Sequence, residues 1–155
     1  SGGAPALAPV DLAALVRREV AELAPAAVAN GQTIEVDAPD SCAIQGDATL
    51  LSVLVRNLVD NALRYSPPDA VVRVSVAHEA QLTRLSVEDS CAGMSDADQR
   101  RLGERFFRVL GSAQGGSGLG WSIVKRIAAV HRAEVHVARS AALGGLQVVV
   151  DWADA

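Results

Sequence analysis

The chain contains 155 residues, a length typical of one domain with a buried core, and half of its residues are apolar. Only 3% of the residues are aromatic, so the core is predicted to be aliphatic. A net charge of −4 and a pI near 5.3 argue against a nucleic-acid surface, which needs a basic stripe. No apolar run approaches the roughly 18 residues that span a bilayer. The composition therefore favours one globular domain that neither crosses a membrane nor binds nucleic acid.

The start of the chain predicts a piece of a longer protein. It begins Ser-Gly-Gly without a methionine, and residues 4–9 have linker composition. We therefore expect a tag remnant and linker over residues 1–10 and a domain over residues 11–155. Cys42 and Cys91 are isolated from each other, which predicts two thiols in a reducing compartment rather than a disulfide or a zinc site.

Three stretches have the apolar periodicity of amphipathic helices. The first begins at Asp11, a capping residue, and is predicted to end before Pro25. The second begins at Asp47 and ends at the proline pair 67–68. The third follows Gly120. Its apolar face is predicted at Ile123, Ile127 and Val130.

Short β-branched or alternating runs between these helices predict six strands. They cover residues 33–36, 42–44, 71–77, 82–87, 134–138 and 146–152. The last four are expected to form two antiparallel hairpins. Between the first hairpin and the third helix, residues 89–117 form a long polar connection, which in a compact domain is usually functional. The order of elements predicts a two-layer α/β sandwich, a mixed sheet with helices on one face.

The second helix carries a line of polar residues on an otherwise apolar surface. At about 100° per residue, Asn57, Asn61 and Arg64 fall within a sector of roughly 60°. Amide oxygens can ligate a hard cation, and an arginine can reach a phosphate. The stripe therefore predicts a binding site rather than a core helix.

Two further segments concentrate unusual residues. Asp89 follows directly on a predicted strand, where a buried carboxylate needs a donor such as the exocyclic amine of adenine. Capping of a turn is the alternative for this residue. The run GGSGLG at 115–120 could present backbone N–H groups to phosphate at a helix start, or it could be a flexible linker.

Together these segments resemble the catalytic and ATP-binding domain of bacterial sensor histidine kinases, within the GHKL ATPase superfamily. RNLVDNALRYSP resembles the N box, VEDSCAGM the G1 box, GERFFRV the F box and GSGLGWSIVKRIAAVH the G2 box. Their order and spacing match from about residue 42 to residue 152. ERFFR followed by GSGLG is most similar to kinases of the type that senses metals and quorum signals. The resemblance implies the GHKL sandwich with an ATP lid, at about residues 94–117.

The resemblance also implies ATP and Mg²⁺ as cofactors and assigns residues to the phosphate end of their site. Asn61 would ligate the Mg²⁺ that bridges the ATP phosphates, with Asn57 beside it on the phosphate side and Arg64 on a phosphate. From the lid, Arg105 or Arg108 would reach the γ-phosphate, so that these two and Asn57 are the candidate catalytic residues. The phosphate tail would be cradled by Gly116, Gly118, Leu119 and Gly120.

At the base end, the resemblance implies that Asp89 accepts a hydrogen bond from the adenine amine. Tyr65 would pack on the base, and Gly93 with Met94 would line its pocket. One departure affects this end, because Cys91 replaces the first glycine of the G1 box. A cysteine there is expected to weaken nucleotide binding modestly, through strain on the order of 1 kcal/mol if the position needs a positive φ.

A second departure is Trp121, where these kinases usually carry leucine or a small residue, and it is expected to pack against the base of the lid. None of His78, His131 and His136 has the sequence context of a phosphoacceptor histidine. The catalytic half of such a kinase is therefore present without its substrate half.

The expected function is to bind Mg-ATP and to transfer the γ-phosphoryl group to a histidine on the kinase's own dimerisation domain. The other expected partner is a cognate response regulator, and the isolated domain is expected to be monomeric. The whole protein is expected to be a dimeric sensor in the inner membrane, with this domain in the cytoplasm. The alternatives are a degenerate nucleotide-binding or partner-docking module without phosphotransfer, and a GHKL ATPase. A serine kinase of the anti-sigma-factor type is disfavoured by the F box.

Overall fold

Three helices and seven strands form the part of the chain that the structure, a computed structural model, describes. That part comprises residues 7–64, 66–90 and 115–154, with the backbone alone for residues 115–119. In chain order the elements are β1 (Ala8–Asp11), α1 (Leu12–Ala29), β2 (Thr33–Asp37), β3 (Ala43–Gly46), α2 (Ala48–Arg64), β4 (Val71–Glu79), β5 (Leu82–Asp89), α3 (Gly115–Val130), β6 (Glu134–Arg139) and β7 (Leu146–Ala153).

Five of the strands form a mixed sheet in the order β2-β4-β5-β7-β6. β2 and β4 are parallel, as expected for strands joined by a crossover that contains a helix, here α2. The other neighbours are antiparallel, and β4–β5 and β6–β7 are the two hairpins that the alternating sequence runs predicted. The predicted mixed sheet is therefore confirmed.

The helices cover one face of this sheet. Alternate residues of the central strands are buried and belong to one core cluster with all three helices, among them Val74, Leu85 and Val150. Fully burying a valine or leucine side chain stabilises a fold by roughly 1.5–3 kcal/mol, so this aliphatic face fixes the strand register. The opposite face carries paired charges: Arg73 bonds Glu35, and Arg84 forms two hydrogen bonds, of 2.8 and 3.0 Å, with Asp151. The sandwich thus has one apolar inner face and one polar outer face.

The predicted end of α1 at Pro25 is wrong, because the helix continues to Ala29. A proline removes one backbone hydrogen bond and usually breaks a helix. Here Pro25 is exposed, so water can bond the carbonyl that it leaves unpaired, and the residues around it are mostly alanine, the best helix former. The helix ends where Gly31 adopts a φ of +74°, which a glycine tolerates.

The sequence did not predict β1, because residues 4–9 have linker composition. Ala8–Asp11 nevertheless pairs antiparallel with β3 in a separate two-stranded sheet. Pro9 is compatible with this pairing because an edge strand tolerates a missing N–H. Part of the predicted linker is therefore a strand, and the boundary of the domain stays a prediction.

Asp11 joins this small sheet to the first helix. Its Oδ1 accepts hydrogen bonds from the backbone N–H of Cys42, at 3.0 Å, and of Ala14, at 3.3 Å. These two bonds, in that order of importance, hold the pKa of the Asp11 carboxyl below its ordinary value. The ionised form of the Asp11 carboxyl therefore stabilises the folded state.

We predict that Asp11→Asn lowers the urea midpoint of unfolding at pH 7, because an amide oxygen accepts the same bonds without the charge. A lowered pKa gives stability that is present above the ordinary carboxyl pKa and lost as the pH falls through the folded-state pKa. The gap between variant and wild type should therefore shrink below about pH 4. Asp40→Asn, at an exposed aspartate, is the control; a gap that is independent of pH would contradict the prediction.

Candidate functional site

Helices α2 and α3 are in close contact at Gly120. A Cβ atom built on Gly120 would lie 2.9 Å from Oδ1 of Asn57 and 3.7 Å from both terminal amide atoms of Asn61. A side chain at this position would force Oδ1 of Asn57 to move, so a glycine leaves the present arrangement of the two helices undisturbed. The structure thus brings together three residues that the sequence assigned to one site.

The amide of Asn57 has a defined orientation. Its Nδ2 donates a hydrogen bond of 2.8 Å to the carbonyl oxygen of Val53, one turn earlier in α2. This bond directs Oδ1 towards Gly120, from which an added Cβ would be 2.9 Å away. Asn57 therefore presents an acceptor to the space between the two helices.

Asn61 is the least satisfied polar residue of α2. Its side chain is 4% exposed, and its Nδ2 has no hydrogen-bond partner among the described residues. Burying an amide group without a partner costs roughly 1–3 kcal/mol. Such a group in a folded protein calls for an explanation, of which a bound ligand is one, and rotation of the amide can present either its oxygen or its nitrogen. The buried amide of Asn61 is therefore the strongest mark of a site on this helix.

Arg64 lies at the end of α2 and forms an ion pair of 2.9 Å with Asp60. Both side chains are about half exposed, and an exposed pair of this kind contributes less than about 1 kcal/mol. Arg64 can thus exchange Asp60 for another anion at little cost.

Two residues that the sequence analysis did not single out hold this end of the helix. Nε2 of Gln32 donates two hydrogen bonds, each of 2.8 Å, to the carbonyl oxygens of Leu63 and Ser66. The hydroxyl of Ser66 donates to the carbonyl oxygen of Ala62. The last carbonyls of a helix lack partners within it, so these bonds fix the direction in which α2 ends. Gln32 lies outside the sequence motifs, and Ser66 lies within the N-box segment, where the motif gave no sign of this role.

Asp89 is the last residue of β5 and is 4% exposed. Its Oδ1 accepts a hydrogen bond of 3.2 Å from the N–H of Leu146, and its backbone oxygen accepts one of 3.0 Å from Gly145. The carboxylate therefore contacts the turn between β6 and β7, as the alternative interpretation of a turn-binding aspartate expected. It also lies on the inner face of the sheet, because it continues the alternation of Leu85 and Val87.

Gly145 lies between the two strands of the second predicted hairpin, and the sequence analysis did not single it out as a residue of this site. A Cβ on Gly145 would lie 2.0 Å from Oδ1 and 2.4 Å from the backbone oxygen of Asp89. The position of Asp89 therefore depends on a residue far away in the chain, which spacing alone could not indicate.

The third helix covers Gly115–Val130, so the GGSGLG run opens α3; this confirms its interpretation as a helix start and excludes the flexible linker. The predicted apolar face of this helix is wrong in part. Ile127 is buried, but Ile123 and Val130 are 38% and 37% exposed, and Trp121 and Val124 are buried instead. The helix therefore turns towards the core the side that carries Trp121, Val124 and Ile127.

Several predicted site residues lie outside the described part of the chain. They are Tyr65, Cys91, Gly93, Met94, Arg105 and Arg108, and most of the predicted lid lies there with them. For Gly116, Gly118 and Leu119 the structure gives the helical backbone only. Trp121 belongs to the hydrophobic core, and its expected contact with the lid falls outside the described residues.

The described side chains of the site could bind Mg²⁺ only together with phosphate groups. Among the described residues no group of three His, Cys, Asp or Glu side chains could hold a metal ion. Mg²⁺ prefers oxygen ligands in an octahedral arrangement and is usually bound by few protein groups together with substrate phosphates. The partly unsatisfied amide of Asn61 can supply one such oxygen. Beside the described residues, a nucleotide and water are the ligands that would complete such a site.

The sequence profile of the family "Histidine kinase-, DNA gyrase B-, and HSP90-like ATPase" matches residues 46–154, which is more than half of the chain. The chain belongs to this ATPase family. It is 47% identical over 107 residues to the sensor protein QseC of Salmonella typhimurium, a match that covers 69% of this chain and 23% of that protein. It is 34% identical over 147 residues to the histidine-protein kinase BaeS of Escherichia coli, covering 93% of this chain and 31% of that kinase.

Solved structures agree with this assignment. The cytoplasmic segment of histidine kinase QseC superposes with a TM-score of 0.67 at 26% identity, covering 96% of this chain and 79% of the other. The chain is thus a homologue of the catalytic domains of sensor histidine kinases, which act in two-component signalling. It spans about a quarter to a third of the length of the curated relatives named above. No described helix is long and apolar enough to cross a membrane.

Two glycine substitutions should show how much the contacts at Gly145 and at Gly120 each contribute to the stability of the fold. We predict that Gly145→Ala destabilises the fold by about 1–3 kcal/mol, because the added methyl group overlaps a backbone atom of Asp89. Gly120→Ala should change stability by less than about 1 kcal/mol, because helix propensity favours alanine and the overlapping Oδ1 of Asn57 can rotate away. Urea unfolding of both variants measures the difference; equal losses would show that the two contacts are equivalent.

Proposed function

We propose that the domain binds Mg-ATP and transfers the γ-phosphoryl group to a histidine on the dimerisation domain of a two-component sensor kinase. The observation that carries the proposal is the meeting of Asn57 and Asn61 with the glycine-containing start of α3 at Gly120. Membership of the ATPase family supports nucleotide as the ligand.

The phosphate end of the proposed site combines three kinds of group. The N-terminus of α3 carries backbone N–H groups that have no acceptor within the helix, together with the positive end of the helix dipole, and both favour an anion. Asn61 would supply an oxygen to the Mg²⁺, which when bound offsets the charge of the phosphate oxygens. Asn57 would hold its Oδ1 on the same side, and Arg64 would leave Asp60 for a phosphate.

The base end depends on Asp89. A carboxylate held at the inner end of β5 can accept a hydrogen bond from the exocyclic amine of adenine and so select this base. By the resemblance, Tyr65, Gly93 and Met94 would complete the base pocket, and Arg105 or Arg108 would reach the γ-phosphate from the lid.

In the proposed reaction a ring nitrogen of the acceptor histidine forms a bond to the γ-phosphorus while the bond to the β,γ-bridging oxygen breaks, which leaves ADP. The residues of this chain position the nucleotide and offset charge, and positioning supplies most of the catalysis in such transfers. The acceptor would be the kinase's own dimerisation domain, and a cognate response regulator would receive the phosphoryl group next. We also propose that the isolated domain is a monomer and that its parent protein lies in the inner membrane.

We predict that Asn61→Ala lowers the affinity for ADP in the presence of Mg²⁺ at least about 100-fold, because it removes the proposed metal ligand. Stability without nucleotide should stay equal or rise, since an unsatisfied buried amide is removed. Calorimetry with ADP, and with Mg²⁺ alone, measures both effects, and Mg²⁺ alone should produce no binding heat. Asn30→Ala, at the exposed end of α1, is the matched control. Unaltered ADP affinity in Asn61→Ala would overturn the assignment.

A second experiment tests the transfer itself. Mixed with the separate dimerisation domain of its parent kinase and radiolabelled ATP, the domain should label a histidine, and Asn61→Ala should reduce the labelling rate at least about 100-fold. Binding of nucleotide without labelling would favour the degenerate binding module. Hydrolysis of ATP without phosphohistidine would favour a GHKL ATPase that uses ATP to drive a conformational change.

A further inference from the structure

The turn between β6 and β7, residues 140–145, is fastened to the end of β5. Within the turn, the N–H of Ser140 donates to the carbonyl oxygen of Gly145 at 2.7 Å, and the N–H of Gly144 donates to the carbonyl oxygen of Ser140 at 2.8 Å. Two backbone bonds therefore close the turn on itself, and it acts as one rigid piece.

Ser140 connects this piece to the outer face of the sheet. Its hydroxyl accepts a hydrogen bond of 2.9 Å from the N–H of Leu143 and donates one of 2.5 Å to Oε2 of Glu88. Ser140 is 1% exposed and Glu88 is 8% exposed, so little water competes for these atoms. A short bond to a buried carboxylate is among the stronger hydrogen bonds in proteins.

The other end of the turn bonds Asp89, the residue that follows Glu88, on the inner face of the sheet. Gly145 and Leu146 donate their N–H groups to the backbone oxygen and to Oδ1 of Asp89. A Cβ on Gly145 would collide with both of those oxygens, so this close contact depends on the absence of a side chain at position 145. Because successive strand residues point to opposite faces, the turn holds β5 through Glu88 on one side and Asp89 on the other.

We propose that Ser140 is a positioning residue that fixes the Asp89 carboxylate for recognition of the nucleotide base. The inference rests on the proposed function, in which Asp89 accepts a hydrogen bond from the adenine amine. Without the bond from Ser140, Glu88 loses its donor and the turn loses its attachment to the outer face. The Leu146 N–H is then no longer held in one position relative to the backbone of Asp89. A displacement of the Asp89 carboxylate on the order of 1 Å is enough to weaken its directed hydrogen bond to the base strongly.

Comparison of two nucleotides isolates this effect. Inosine diphosphate carries the same ribose and phosphates as ADP but lacks the exocyclic amine, so its binding does not use the proposed bond to Asp89. A general loosening of the domain would weaken both ligands together, whereas misplacement of the Asp89 carboxylate weakens ADP alone. The ratio of the two affinities is therefore the measurement that reports on positioning.

The test is Ser140→Ala, with the dissociation constants of Mg-ADP and Mg-IDP measured by calorimetry. We expect the affinity for ADP to fall about 10-fold, as for the loss of a hydrogen bond to a charged group. The affinity for IDP should stay within about twofold. Ser86→Ala is the matched control, because Ser86 is a buried serine on the same outer face whose hydroxyl accepts from Gln147 at 3.3 Å, away from Asp89. It should leave the ratio unchanged.

Glu88→Gln provides a second variant if Ser140→Ala does not fold. A glutamine can still accept from the Ser140 hydroxyl but without charge, so the ratio of affinities should fall by a smaller factor, about threefold. An unchanged ratio in a folded Ser140→Ala or Glu88→Gln protein overturns the inference. A wild-type domain that binds ADP and IDP equally also overturns it, because Asp89 then does not read the amine. A wild-type domain that binds neither nucleotide contradicts the proposed function itself.

Discussion

The close approach of α2 to α3 at Gly120 is the constraint on which the candidate site depends. At this point Oδ1 of Asn57 and the amide of Asn61 lie within contact distance of a position that has no side chain. The same two helices are joined again at their other ends. Nδ1 of His131 bonds the carbonyl oxygen of Ile127 at 2.8 Å, and its Nε2 accepts the N–H of Asp47 at 3.1 Å, just before α2 begins. Attachment at two separate points fixes how the helices lie and therefore where the two asparagines point.

This frame explains how the domain tolerates an unsatisfied group. The buried Nδ2 of Asn61 lacks a hydrogen-bond partner among the described residues. Leu58 and Ala62, which lie near Asn61 on the same helix, belong to the hydrophobic core. Core packing on both sides keeps the amide in place although it contributes nothing to stability there. A site built in this way would be preorganised, since a ligand that supplied the missing bond would not first have to order the protein.

Much of the fold could be predicted because its signals are local. The alternating runs around β4, β5 and β7, and the caps at Asp11 and Asp47, depend only on neighbouring residues. What failed depends on surroundings: α1 passes Pro25 because that position faces water, and β1 forms because β3 offers it a partner. The asparagines of the site were visible as a stripe with a helical period. Gln32 and Gly145 were not, because their roles arise only when distant strands and helices meet.

The two ends of the candidate site are supported in different ways. The phosphate end lies on two helices whose core-facing sides are packed, so its geometry follows from burial of aliphatic side chains such as Leu54 and Val124. The base end lies where β5 stops, and there hydrogen bonds replace packing: Ser90 bonds Val71 on one side, and residues of the β6–β7 turn bond Asp89 on the other. Hydrogen bonds are directional, whereas apolar contacts tolerate small shifts. The proposed recognition of a base, which requires an acceptor in one fixed place, would therefore lie where directional bonds set the backbone.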